Sequence, residues 1–322
     1  MRCLAAGSSA LRPVLAAPSR PADCLGVTRG ALYLRIPGPP GVLAVLTYDA
    51  VRLPCGLVLP TTSAELPLTS LAPARSWGIV VGSGEVRWDG PDGPVVVRAV
   101  REWAPARPVR GEVAASALAE VRSVLGRAGP GGSGLSGSGL SGSALSASGT
   151  NGADTVVSSS LLAELGTAAG DQGEATVAAA RLLGSGPGLT PSGDDVLAGF
   201  LVGAAAFGID AAALREATAV LAPARTTALS AALLWHAARG ECIDELASLA
   251  VVLTSQGRCR PDEAGRAVSR LLSVGHTSGA ALALGLVTAA ESALRAQAVL
   301  AQSGLADTGL ADTGRAEPGQ AA

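Results

Sequence analysis

The chain contains no lysine, only two histidines and few aromatic side chains, and each shortage excludes a class of protein. Aromatic residues make up 2% of the 322 residues, so alanine, valine and leucine must build the core. Every basic residue is arginine, no basic cluster occurs, and the net charge is −2. A nucleic-acid partner is therefore not expected, because proteins of that class present a basic patch to the phosphates.

The five cysteines are also isolated from one another, with no Cys-x-x-Cys pair. Together with only two histidines, they do not make the ligand set of a structural zinc site. Isolated cysteines are typical of a reducing compartment, so we expect a cytoplasmic protein. The apolar run over residues 196–209 is too short to cross a bilayer, and no membrane partner is expected.

The first third of the sequence has β character. Short apolar runs separated by Gly, Pro and Asp turns predict a small antiparallel sheet or barrel-like domain over residues 1–104. A short helix is expected near residues 8–16, and Trp77, Trp88 and Trp103 are expected to pack in the core or at an edge. The predicted strands are residues 31–36, 42–47, 51–59, 78–81, 85–88 and 95–100.

Residues 112–300 are rich in Ala and Leu with short connections, which predicts an all-α helical bundle domain and an α+β fold overall. Low-complexity Gly/Ser repeats at residues 126–153 and a repetitive tail at 303–322 are expected to be disordered. Their few apolar side chains cannot offset the entropy of ordering. The predicted helices are residues 112–125, 156–167, 174–183, 194–207, 211–221, 226–239, 243–255, 262–273 and 278–300.

Residues 183–195 read L-G-S-G-P-G-L-T-P-S-G-D-D, and four glycines with two prolines exclude a helix or strand interior. Such a loop before a helix is either a binding loop for a small anion or a capped turn with Ser192 as N-cap. Asp194 and Asp195 either interact with the helix dipole or take part in catalysis, with Mg²⁺ as a candidate ligand. The anion-binding candidates are Gly186, Gly188, Thr190, Ser192 and Gly193.

Two further predicted helices begin with polar residues. Arg225 precedes one of them and is either a bidentate clamp for a carboxylate or a solvated side chain beside a cap. His276 precedes the other and is the better histidine for acid–base chemistry, whereas His236 suits packing or a surface position. A strict up-and-down bundle would place these two helix starts at opposite ends. The hydroxyl candidates are Thr227, Ser230, Thr277 and Ser278.

At these residues the chain resembles the AllH-type family, which is linked to oxamate carbamoyltransferase. The resemblance rests on residues 184–195 followed by Leu-Ala-Gly-Phe at 197–200, on Arg-Thr-Thr at 225–227, on residues 237–241 and on residues 275–279. It covers residues 156–299 well and residues 1–104 loosely. It implies a subunit, alongside two others, of a complex that interconverts oxamate and carbamoyl phosphate with oxalurate and phosphate in anaerobic allantoin breakdown.

The resemblance implies roles for the candidate residues. The loop and the helix start at Asp194 would hold phosphate, Arg225 would pair with a carboxylate, and the four hydroxyl candidates would orient the carbamoyl group. Positioning and stabilisation of oxyanion charge matter more in such a transfer than a protein nucleophile. Two alternatives stay open: a metal-assisted hydrolase of phosphate or glycosyl bonds, and a non-catalytic subunit that binds partners through its glycine loops.

Overall fold

A computed structural model describes residues 1–75, 77–128, 157–168, 170–254 and 262–310. Within them, an eight-stranded closed barrel is followed by helices, which confirms the predicted α+β class. The strands are β1 Arg2–Ser8, β2 Arg20–Val27, β3 Ala31–Arg35, β4 Val42–Leu46, β5 Gly56–Val58, β6 Ile79–Gly82, β7 Glu85–Gly90 and β8 Gly93–Trp103, with the short helix α1 Arg12–Ala16 after β1.

The barrel order is β1-β5-β4-β3-β2-β6-β7-β8, and β8 pairs back onto β1. The prediction of an antiparallel sheet is wrong at two places, because β1 pairs with β8 and β4 pairs with β5 in parallel. The prediction also missed β1 and β2, whose Ala, Gly and Pro residues give little apolar alternation. Closure by β1 removes the free sheet edges that an open sheet would expose.

The tryptophans occupy three different environments. Trp88 is buried in the barrel and its Nε1 donates a hydrogen bond to the Leu71 carbonyl at 2.6 Å. Trp103 is half-buried and donates to the Ala6 carbonyl at 3.2 Å. Trp77 is 62% exposed, so the packing expected for it is wrong. It lies in the loop before β6, where the Arg75 guanidinium lies over the indole ring, 4.8 Å from its centroid.

The helical part follows the predicted succession, with helix ends shifted by a few residues. Helix α6 continues through Pro223, because a proline in the last turn removes only one hydrogen bond. Helix α2 includes residues 126–128 of the predicted Gly/Ser insertion, and the rest of that insertion lies outside the described residues. Helix α10 continues to Leu310, so the predicted disorder is wrong for residues 303–310, and residues 311–322 lie outside the described part of the chain. The helices are α2 Ala115–Ala128, α3 Ser159–Ala168, α4 Gln172–Leu182, α5 Ser192–Phe207, α6 Ala212–Arg225, α7 Ala228–Ala237, α8 Asp244–Thr254, α9 Glu263–Leu272 and α10 Ser278–Leu310.

Helices α5 and α10 form the centre of the helical part and run in the same direction. Their backbones approach closely at glycines: a Cβ on Gly199 would lie 2.2 Å from the Leu282 carbonyl oxygen. A Cβ on Gly285 would lie 2.0 Å from the Val196 carbonyl oxygen. The strict up-and-down arrangement considered from the sequence is therefore wrong, since it would separate the N-terminal ends of these two helices.

Helix α10 contains the most apolar long stretch among the described helices. Residues Ser278–Leu300 are long and apolar enough to cross a bilayer by length and composition. In this fold 56% of the stretch is buried, and it packs along α5 with α3, α8 and α9 around it. The apolar character of α10 is thus used in the protein core.

A buried polar network joins the connection after the barrel to the end of α7. Cys242 N–H donates to the Ala106 carbonyl at 2.9 Å, and Arg107 Nη2 lies 2.5 Å from Glu241 Oε1. The second Glu241 oxygen, Oε2, lies 2.7 Å from Nδ1 of the fully buried His236. Burial opposes ionisation of Glu241, but its hydrogen bonds to His236 and Arg107 outweigh burial and lower its pKa. This network holds α7 in place relative to the barrel.

Candidate functional site

The starts of α5, α7 and α10 meet at the glycine-rich loop of residues 184–191. Thr190 Oγ1 and Ser278 Oγ are 2.9 Å apart, which joins the loop to the start of α10. Thr227 Oγ1 donates to the Leu189 carbonyl at 2.5 Å, which joins it to the start of α7. The convergence follows from the parallel course of α5 and α10. We call Thr190, Asp194, Asp195, Thr226, Ser230 and Ser278 the helix-start cluster.

The loop follows a path that requires glycine. Gly184, Gly186 and Gly188 have φ angles of 75°, 113° and 97°, in the region that side chains rarely adopt. A Cβ on Gly184 would also lie 2.2 Å from the Arg225 carbonyl oxygen. The loop therefore packs directly on the connection between α6 and α7, where Thr226 lies.

Asp194 is buried at the centre of the helix-start cluster. Its Oδ1 accepts a hydrogen bond from Gly184 N–H at 2.8 Å, and its Oδ2 accepts one from the Thr226 hydroxyl. Burial raises the pKa of Asp194, while these two donors and the nearby Ser230 hydroxyl oppose the rise. One N–H of the predicted anion-binding loop is thus already used by a carboxylate of the protein itself.

Asp195 follows Asp194 in α5, and its side chain has fewer hydrogen-bond partners. The residue is 6% exposed, and among the described residues its Oδ2 is buried without a hydrogen bond. Burial is the main cause that raises the pKa of Asp195 to about 7; the negative charge of Asp194 adds to it, and the nearby hydroxyls of Ser278 and Thr190 oppose it. A carboxyl group that titrates near neutrality in such a cluster is characteristic of functional sites.

Ser230 is the second buried residue of the cluster with an unused polar atom. Its backbone N–H donates to the Thr227 hydroxyl at 3.0 Å, which makes Thr227 the N-cap of α7. Its own Oγ is buried without a hydrogen-bond partner in the described part of the chain. Buried polar groups without partners are rare in native proteins and usually mark a water or ligand position.

Comparison with known proteins bears on this same segment. Residues 182–290 match the family described as oxamate carbamoyltransferase subunit AllH. The resemblance inferred from the loop sequence is thereby confirmed for this segment. The AllH match begins two residues before the glycine-rich loop and ends within α10, so it contains the whole helix-start cluster and excludes the barrel. No solved structure matches the chain.

Several candidate residues in the matched segment form no side-chain hydrogen bond to Asp194 or Asp195 among the described residues. Ser192 is the first residue of α5 and not its N-cap; that position is taken by Pro191, which has no hydroxyl to donate or accept. Gly193 is buried, and a Cβ there would lie 2.2 Å from the Leu182 carbonyl oxygen. Close packing therefore accounts for a glycine at this position. Arg225 is exposed, and its Nη1 donates to the Ala180 carbonyl at 3.0 Å near the end of α4.

His276 and Thr277 are exposed in the turn before α10. Within the described residues, neither side chain forms a hydrogen bond to the helix-start cluster. The catalytic role of His276 therefore stays a prediction from the sequence. Thr226, by contrast, is a cluster residue that the site prediction missed. Two adjacent threonines before a helix were the available signal, because only one of them can be the cap.

Thr226→Val should lower the free energy of unfolding by roughly 1–2 kcal/mol, since it leaves a buried carboxylate oxygen of Asp194 without its donor. Urea denaturation measures the change. Thr176→Val is the matched control, because Thr176 is exposed on α4 and its hydroxyl donates only to the Gln172 carbonyl. The control should stay within about 0.5 kcal/mol of the wild type. Equal losses in the two variants would contradict the importance of the Thr226 contact.

Proposed function

We propose that this protein is a subunit of an oxamate carbamoyltransferase complex and that the helix-start cluster binds a small substrate of that reaction. The family match over residues 182–290 supports the first part. The observation that supports the second part is that two polar atoms of the helix-start cluster, Asp195 Oδ2 and Ser230 Oγ, are buried without a partner among the described residues. Buried polar atoms without partners favour a position that a ligand completes.

The loop and the cluster suit opposite ends of a carbamoyl substrate. Among the described residues, the N–H groups of Gly186 and Gly188 make no hydrogen bond, and they are available to a phosphate or carboxylate. The positive ends of the helix dipoles of α5, α7 and α10 also point toward this region. Repulsion from the two aspartates is reduced near neutral pH, because the pKa of about 7 leaves Asp195 partly protonated.

A Mg²⁺ ion is a second ligand that we propose for Asp194 and Asp195. Across the described ranges, no three Asp, Glu, His or Cys side chains come together. The ion would therefore bind at most two carboxylates and take its other oxygen ligands from hydroxyl groups, water or phosphate. Mg²⁺ added alone should then raise the melting temperature, and EDTA should reverse the rise.

We also propose that the protein acts in the cytoplasm together with other subunits. The description of the family as a subunit implies such partners. The unpaired state of the four described cysteines is consistent with a reducing compartment. These cysteines are Cys3, Cys24, Cys55 and Cys242.

Co-expression with the candidate partner subunits tests the proposal. We expect a co-purifying complex that forms oxalurate from oxamate and carbamoyl phosphate, and an Asp195→Asn complex with at least about tenfold lower activity. Asp92→Asn removes the same charge from an exposed turn of the barrel and should leave activity unchanged. Absence of a complex would refute the subunit proposal. If the Asp195→Asn complex is fully active, the protein binds partner subunits but does not take part in catalysis.

A further inference from the structure

The two unpartnered atoms of the helix-start cluster have complementary hydrogen-bonding character. Asp195 Oδ2 accepts hydrogen bonds when the carboxyl group is ionised, and Ser230 Oγ–H donates one. Both are buried, and each leaves its hydrogen-bonding capacity unused among the described residues. The Ser230 hydroxyl lies near the carboxylate of Asp194, the residue before Asp195 in α5, so a ligand that reaches both unpartnered atoms must offer a donor and an acceptor.

The charges around the cluster argue against a second anionic group at this position. Within the described parts of the chain, no arginine side chain hydrogen-bonds to any cluster residue, and Arg225 is engaged by the Ala180 carbonyl. Asp194 already accepts hydrogen bonds from Gly184 N–H and the Thr226 hydroxyl, so these two donors are not free for an anionic ligand. A neutral group is therefore the better match for the unpartnered atoms.

We propose, on the basis of the proposed function, that Asp195 and Ser230 together bind a primary carboxamide group. The ligand N–H would donate to Asp195 Oδ2, and the ligand carbonyl oxygen would accept from the Ser230 hydroxyl. A primary carboxamide carries this donor and acceptor on the same carbon atom, as oxamate and carbamoyl phosphate do. Asp195 then selects for the nitrogen, whereas Ser230 contacts a carbonyl that ligands without nitrogen also possess.

The remaining part of such a ligand would lie toward the loop. Thr190 belongs to the loop, and its hydroxyl contacts Ser278 beside Asp195. This part-buried hydroxyl pair is the contact that an incoming ligand would replace. The free N–H groups of Gly186 and Gly188 are then available to the carboxylate or phosphate end of the ligand.

Oxamate and pyruvate form a matched pair of ligands for the test. The two have the same charge and nearly the same shape, but pyruvate has a methyl group where oxamate has its NH₂. Isothermal titration calorimetry of the full chain and of the assembled complex at pH 8 should show oxamate binding at least about tenfold more tightly than pyruvate. A site built to bind an N–H rejects an analogue that lacks it, because its acceptor is left unpaired.

Two variants separate the roles of the two side chains. Asp195→Ala, which removes the acceptor, should reduce the preference for oxamate to less than about threefold, while Ser230→Ala should weaken oxamate and pyruvate by the same factor. Asp92→Asn should bind both ligands as the wild type does, and circular dichroism confirms that each variant folds. Retention of the oxamate preference in Asp195→Ala would overturn the assignment.

Different results would overturn the carboxamide assignment and the proposed function. Equal binding of oxamate and pyruvate by an active wild-type complex would overturn the carboxamide assignment and leave the proposed function intact. No binding of oxamate to the chain or to an active complex would also overturn the assignment. No binding together with no complex would refute both.

Discussion

Gly285→Ala is expected to destabilise the protein by about 2–3 kcal/mol, although alanine is the better helix former. The added Cβ would lie 2.0 Å from the Val196 carbonyl oxygen and 2.8 Å from the Phe200 nitrogen, both in the backbone of α5. Backbone atoms within a helix cannot move aside as the end of a flexible side chain can. The two central helices must therefore separate, and urea denaturation should report the cost.

Gly265→Ala is the same type of substitution but is expected to change stability in the opposite direction. Gly265 lies in α9, and a Cβ there meets nothing within 4 Å. Only helix propensity changes, so this variant should be more stable than the wild type by about 0.5–1 kcal/mol. If both substitutions stabilise the protein, the close approach of α5 and α10 is wrong. Loss of oxamate affinity in Gly285→Ala would show that this packing also positions Thr190 against Ser278.

Asp195→Asn is expected to stabilise the protein at pH 8, and the gain should disappear as the pH falls toward 4. The fold raises the pKa of Asp195 from 3.8 to about 7, chiefly by burial. A raised carboxyl pKa means that the folded state binds the proton more tightly than the unfolded state does. The native state is therefore favoured at low pH and loses this advantage as the pH rises from about 4 through about 7. Asparagine, which stays neutral, avoids a loss of roughly 2–4 kcal/mol.

Thermal unfolding of the wild type and Asp195→Asn across pH 4–8 measures this difference directly. Asp92→Asn serves as the control because Asp92 is exposed, and its difference from the wild type should be nearly independent of pH. A gain for Asp195→Asn that stays constant across the range would contradict the raised pKa. The expected combination, higher stability with lower activity of the complex, is typical of residues retained for function.

Much of the fold could be predicted from local patterns in the sequence. Helices depend on propensity and short connections, so α4, α5 and α9 lie within a few residues of their predicted ends. The glycines and prolines of residues 184–191 identified the loop correctly, because no regular element accommodates them. The loop sequence also indicated a resemblance to the AllH family, which the match confirms for residues 182–290.

Contacts between distant parts of the chain were not predictable in this way. β1 pairs in parallel with β8, which lies about ninety residues away. The local pattern of Arg2–Ser8 therefore cannot indicate which strand it pairs with. The direction of α10 relative to α5 depends on glycine contacts between two backbones. Connection lengths alone favoured an up-and-down arrangement, which would have kept Thr190 and Ser278 apart.

The sequence by itself determined the α+β class, the positions of the helices and the polar character of three helix starts. Only the tertiary structure decided that these starts meet and that the adjacent aspartates differ. Asp194 receives two hydrogen bonds from segments ten and thirty-two residues away, whereas Asp195 Oδ2 receives none among the described residues. Hydrogen bonding and burial depend on neighbours in space, so two identical side chains, adjacent in the chain, acquire different chemistry.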